Sequence, residues 1–203
     1  MRDLASGQSL PRKKERISSA NAVCLAVAQI PIERSLAVFA ARDDNRSVDR
    51  TLCGMDTREL LLKAEKFLHE QIPITRAMGL RVVANDESGF TVEAPVALNS
   101  NHLRTAFGGS INAVATLAAY GFLWMELNDA AAHVVVAESS IRFLRPVRET
   151  IRATCLRPDA NNLATFRNQF AEKQKARISL RVNVTEAGEI AAEFEGRFVA
   201  RTS

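Results

Sequence analysis

The chain has 203 residues, 47% of them hydrophobic, and a formal net charge of +4, which allows one sizeable domain plus an extension and matches an ordinary globular composition. Residues 1–55 carry 9 Lys/Arg and 6 Asp/Glu, leaving 18 against 17 for the remainder, so the nearly neutral remainder excludes a basic nucleic-acid footprint. Cys24, Cys53 and Cys155 are odd in number and lack metal or redox spacing; they read as reduced thiols of a cytoplasmic protein.

Residues 1–55 differ in character from the rest of the chain. Ser6-Gly7, the run Arg12-Lys13-Lys14-Glu15-Arg16 and the polar stretch 42–50 surround two short apolar patches, 23–32 and 36–41. Neither sustains a period, which predicts a poorly ordered N-terminal extension. Gln29 and Pro31 interrupt the first patch, so it falls short of a secretory core. Met55 is the expected native start, an expectation that an upstream peptide in mass spectra of the native protein would refute.

The expected domain covers 56–203. Asp56 and Glu59 have capping-box spacing, and Leu60, Leu61, Ala64, Phe67 and Leu68 recur at helical intervals until Pro73, predicting an amphipathic helix. One further turn over 74–78 stops at Gly79. Runs at 80–84 and 90–96 flank Asp86-Glu87-Ser88-Gly89, a hairpin signal. A polar segment, 101–105, then leads through Phe107-Gly108-Gly109-Ser110 to an apolar helix over 111–127. Its polar side chains are Asn112, Thr116, Tyr120 and Glu126, read as lying in no single stripe. A helix apolar all round must be wrapped by the rest of its domain, and this one is shorter than the roughly 20 apolar residues of a membrane span.

Beyond it the period becomes two. Residues 133–147 read as a strand ended by Pro146, with Ile141 and Phe143 on one face and Arg142 on the other, and 150–156 as a second strand. Leu163, Phe166 and Phe170 mark an inserted helix capped at Asn161 or Asn162. Ile178, Leu180, Val182 and Val184 alternate with polar residues, and after a turn at Glu186-Ala187-Gly188-Glu189 the alternation resumes to Ala200. These elements predict an α+β layer, a curved antiparallel β-sheet around one buried helix. No phosphate loop, dinucleotide fingerprint or metal-ligand spacing is present in the sequence, so no cofactor and no metal are expected.

The glycine pair opening an apolar helix, followed by Ser140-Ile141-Arg142-Phe143-Leu144-Arg145-Pro146-Val147, resembles the hotdog-fold thioesterases. Two more segments, Ile72-Pro73-Ile74-Thr75-Arg76-Ala77-Met78-Gly79 and Asn101-His102 through Thr105-Ala106-Phe107-Gly108-Gly109-Ser110, resemble the thioesterase-like domain at the C-terminus of YiiD-type acetyltransferases. The likeness covers about 57–203; residues 1–55 do not resemble the acetyltransferase partner. It implies a hotdog fold, an acyl-CoA or acyl-carrier-protein substrate, and a site shared between subunits of a homodimer or higher homo-oligomer.

Thioester hydrolysis requires a polarised carbonyl, a seat for the oxyanion and an activated water. The N-terminus of a buried helix supplies the first two through unpaired N–H groups and its dipole. The amides of Gly108, Gly109 and Ser110 are therefore the oxyanion candidates, although Ser110 also suits an N-cap. The resemblance implies that Asn101 positions water or thioester, and His102 beside it is a candidate base near neutral pH. Two departures stand out. Phe107 occupies the place of a histidine, and Thr116 that of a helix carboxylate two turns on. Glu138 on the next strand is the substitute base, reaching the helix end from a partner subunit. Thr105, Phe107, Ser139, Arg142 and Arg145 are the expected substrate contacts, the arginines for phosphates together with Arg148, Arg152 or Arg157. The alternatives are a non-catalytic acyl-thioester-binding module and a dehydratase using His102 with Glu138.

Overall fold

The order of elements follows from the two periods in the sequence. In the computed structural model, residues 56–129 and 131–202 are described; the expected N-terminal extension lies outside them. Helix α1 (Thr57–Gln71) is capped by Asp56, buries Ala64 and Leu68, and ends at Ile72 before Pro73. One further turn, α2 (Ile74–Ala77), stops where Gly79 takes a φ of +64°. Strands β1 (Arg81–Asp86) and β2 (Gly89–Pro95) form the expected hairpin. Residue 96, expected as strand, instead opens the short helix α3 (Val96–Asn99), where the Asn99 side chain donates to the Pro95 carbonyl at 2.8 Å and draws the chain into a turn.

The central helix α4 (Gly108–Leu127) starts earlier than the apolar pattern suggests and stops at Asn128, which is left-handed. Strand β3 (Ala132–Phe143) ends before Pro146, since the N–H groups of Leu144 and Arg145 both turn to the carbonyl of Ala191. Strand β4 (Thr150–Leu156) leads into α5 (Ala160–Lys173), and β5 (Lys175–Glu186) and β6 (Glu189–Thr202) complete the chain. The cap of α5 is Asp159, not Asn161 or Asn162: its carboxylate accepts the Asn162 N–H at 2.9 Å, a charge-assisted bond at the positive helix end.

The six strands pair in the order β1-β2-β4-β5-β6-β3, antiparallel throughout. Phe90, Val92 and Ala94 of β2, Ile151, Ala153 and Cys155 of β4, Leu180, Val182 and Val184 of β5, and Ala192, Phe194 and Phe198 of β6 are buried on the face that α4 covers. Phe90, Phe122, Phe194 and Phe198 are almost wholly buried, each worth roughly 1.5–3 kcal/mol by transfer. The helix lies so close to β2 that a Cβ on Gly121 would come within 2.8 Å of Phe90 Cζ. Burial also pushes the Cys155 thiol pKa upward, so that sulfur is an inert core atom.

At the far end of α4, Glu126 is nearly buried between Arg157 (2.8 Å) and Arg167. The Arg157 guanidinium also lies over the Phe122 ring, 5.4 Å from its centroid, and donates to Asn85 Oδ1. This knot ties the helix end to the β1–β2 turn and to α5, well away from the glycine pair.

Strand β3 forms a sheet edge. Its partners on β6 sort its side chains by face. Val134, Val136, Ser139, Ile141 and Phe143 pair with Ala200, Phe198, Gly196, Phe194 and Ala192 and share the helix face. After the bulge at 136–138, Glu138, Ser140 and Arg142 pair with Arg197, Glu195 and Glu193 on the opposite face. Val136 and Phe143 are 38% and 51% exposed although they face the helix.

Candidate active site

The site is built around the beginning of α4. Asn99, buried at the end of α3, donates through Nδ2 to the carbonyls of Met78 and Pro95, both at 2.8 Å, fixing α2, β2 and α3 together. Its own carbonyl accepts the Phe107 N–H at 2.8 Å. The loop between them closes by a bridge from Ser100 to Ala106, and the Ala106 N–H reaches the Val147 carbonyl. Phe107 therefore enters the helix from a clamped position, extended at φ −66° and ψ 133°.

No side chain among the described residues caps this helix. The first backbone bond runs from Ile111 N–H to the Phe107 carbonyl at 3.0 Å, so among the described residues the N–H groups of Gly108, Gly109 and Ser110 have no acceptor. Ser110, expected as an N-cap, is the third helical residue. The Phe107 ring folds back over Gly109, where an added Cβ would meet its Cδ1 at 3.0 Å, and Phe143 lies against Gly108, with Cζ 3.3 Å from a Cβ there. Two half-exposed aromatic rings thus flank three free amides, an apolar surround that strengthens the field of the helix end.

The loop side chains divide by their bonding. Asn101 Nδ2 donates to Thr105 Oγ1 at 3.0 Å, and Oδ1 accepts the Leu103 N–H at 2.8 Å and the Thr105 N–H at 3.3 Å. Its amide shapes the loop, an Asx arrangement, and Thr105 is taken up in the same network. His102 is exposed at the loop's tip, with no hydrogen bond among the described residues. Arg104 holds a φ of +58°.

Glu138 pairs with Arg197 at 2.7 Å on the sheet face away from α4, whereas Ser139 shares the helix face. Arg142 pairs with Glu193, Arg145 with Glu189 and Arg152 with Glu93. These are exposed pairs, each worth about 0–1 kcal/mol, and a phosphate can compete for them. Arg148 has no carboxylate partner for its side chain among the described residues; its N–H binds Glu186 Oε1 at 2.8 Å. A groove of about 500 Å³ runs over the outer sheet face past Ser140, Arg142, Arg181, Asn183, Glu193 and Glu195, apart from the helix end.

The polar groups of α4 are arranged differently from the sequence expectation. Asn112, Ala113, Thr116, Tyr120 and Trp124 are all only partly buried and recur at three- and four-residue intervals, so three of the four polar positions share one stripe, with Glu126 off it. Phe67 of α1 stacks on Trp124 at 4.4 Å and on Tyr120 at 6.3 Å between centroids, covering the C-terminal half. Burial raises the Tyr120 pKa, which keeps its hydroxyl protonated. The N-terminal half, Asn112 and Thr116, continues directly from Gly109.

The sequence matches, over residues 61–202, the family described as "Putative thioesterase (yiiD_Cterm)". The chain belongs to the YiiD_C family. A protein of unknown function from Chlorobaculum tepidum is 29% identical, with a TM-score of 0.67 over 74% of this chain and 99% of its own. The "putative thioesterase" of Shewanella oneidensis is 29% identical, with a TM-score of 0.61 over 71% and 99%. The "Probable Thioesterase" of Pseudomonas aeruginosa is 26% identical, with a TM-score of 0.61 over 70% and 95%. The antiparallel sheet wrapped on α4 is the hotdog fold. Among the described residues of this YiiD_C chain no helix is long and apolar enough to cross a membrane, and no three His, Cys, Asp or Glu residues are grouped to hold a metal ion.

Proposed function

We propose that this protein hydrolyses an acyl thioester carried by coenzyme A or an acyl-carrier protein. The observation that carries the reading is the set of three amides at Gly108, Gly109 and Ser110 that have no acceptor among the described residues, in a family whose description is "Putative thioesterase (yiiD_Cterm)". Such donors stabilise the oxyanion that forms when water attacks the carbonyl. Water adds to the carbonyl carbon while the His102 imidazole takes one of its protons. The C–S bond then breaks, the leaving thiolate receives that proton, and the acid loses its remaining proton to solvent. Asn101 and Thr105 shape the loop that carries His102. Phe107, Ser139 and Phe143 border the acyl group, and Arg142, Arg145 and Arg148 are the groups available to phosphates.

Incubation with a panel of acyl-CoAs and acyl-carrier proteins is expected to release free thiol, and His102→Ala to lower kcat by about 100-fold. No release from any chain length or carrier overturns the reading. A second reading, a non-catalytic acyl-thioester-binding module, is favoured by Thr116, whose hydroxyl stands where relatives of the resembled type carry a carboxylate. Tight acyl-CoA binding without thiol release supports that reading.

The working assembly is a homodimer closed along β3. Its support is the length of this edge strand, 12 residues, together with the exposure of Val136 and Phe143 on the helix face, apolar side chains that no described residue covers. Light scattering is expected to give a dimer, and Val136→Glu a monomer with diminished turnover. A wild-type monomer at enzymatic concentrations removes the shared site.

A further inference from the structure

We infer that Asn112 and Thr116 hold the attacking water, an extension that rests on the thioesterase reading above. The Asn112 carboxamide has no hydrogen-bond partner among the described residues, yet it is only half-buried, one turn into α4 on the same stripe as Gly109. Side chains three residues apart on a helix stand ~5–6 Å apart at Cβ, a separation that one water and a thioester carbonyl bridge. Thr116 adds the second element. Its Oγ1 donates to the Asn112 carbonyl at 2.9 Å, which commits the hydroxyl proton and leaves the oxygen as an acceptor only.

Helical side chains lean toward the N-terminus, so both acceptors, Asn112 Oδ1 and Thr116 Oγ1, lean along the stripe toward the free amides. A water that shares one hydrogen between the two acceptors keeps its other hydrogen for His102 and directs a lone pair to a carbonyl whose oxygen lies on the Gly108–Ser110 amides. Neither group takes a proton. Their contribution is orientation, and the proton of the attacking water passes to His102. This arrangement compensates for the carboxylate that position 116 lacks: two neutral acceptors fix the water without titrating. The acid side of the pH profile therefore carries no carboxylate limb.

The test measures thiol release with the best acyl-CoA of the panel for four proteins. Asn112→Ala, which favours the helix, is expected to lower kcat by about 100-fold, with KM changed less than about 3-fold and Tm maintained. Thr116→Val, of equal shape but without the acceptor, is expected to lower kcat by about 10-fold with KM likewise held. Asn112→Asp is expected to retain turnover while adding an acid limb to the pH profile near the ordinary carboxylate range. Wild-type kcat in Asn112→Ala, or an effect confined to KM, overturns the inference while the thioesterase reading stands on the wild-type release. Absence of release from the wild type overturns both.

Discussion

Gly108→Pro is expected to lower kcat for thioester hydrolysis by about 100-fold while the protein remains folded. Gly108 is the first residue of α4, the helical position that proline accepts most readily because its φ is already suitable and no intrahelical donor is lost. Phe107 before it is extended, as a residue preceding proline prefers. The Gly108 N–H has no acceptor among the described residues, so removing it costs the fold no hydrogen bond. What the substitution removes is one of the donors that face a developing oxyanion. The new ring approaches Phe143, a half-exposed side chain able to yield. Gly108→Ala keeps the N–H and places a Cβ against Phe143, so it separates the lost donor from crowding of that ring. Full turnover in Gly108→Pro, at unchanged Tm, removes the helix end from the mechanism.

The largest loss of stability is expected at Gly89, where alanine costs about 4 kcal/mol. Gly89 opens β2 with a φ of +137°, a region closed to L side chains, and an added Cβ would fall on the carbonyl oxygen of Cys155. That oxygen belongs to the backbone of β4, paired with β2 along its whole length, and cannot move without opening the ladder beneath α4. Calorimetry should show Tm lowered on the order of 10 °C, or no cooperative transition. Gly188 serves as the control: its φ is +82° but nothing lies within 4 Å of an added Cβ, so alanine there costs about 1 kcal/mol of backbone strain only. Equal Tm values for the two variants contradict this account.

Much of the fold is legible in the sequence because burial imposes a period. Leu180, Val182 and Val184 alternate because only one face of β5 meets the core, and Leu163, Phe166 and Phe170 recur as they do because one stripe of α5 is buried. Expectation and structure part where one local group competes with another, as with Asp159 taking the cap of α5 from the asparagines two and three residues on. The stripe on α4 is hidden in the sequence for another reason. Its sparse polar groups, Asn112, Thr116 and Tyr120, are spaced by four, but the small and apolar residues between them mask the face until the cover over each turn is known.

The linear chain by itself determined a buried helix entered through two glycines, an antiparallel sheet to wrap it, and a family resemblance carried by local motifs. Each of these depends on side-chain size and polarity at fixed spacing, which short-range geometry converts directly into secondary structure and burial. Only the tertiary structure decided which polar groups are free to act. The side-chain carboxamides of Asn101 and Asn112 are the same chemical group, yet one is consumed by its own loop and the other has no hydrogen-bond partner among the described residues. Glu138 and Ser139 are neighbours in the chain, but the β3–β6 register after a single bulge sends them to opposite faces. That register is set by pairing with residues distant in sequence, and no local pattern encodes it.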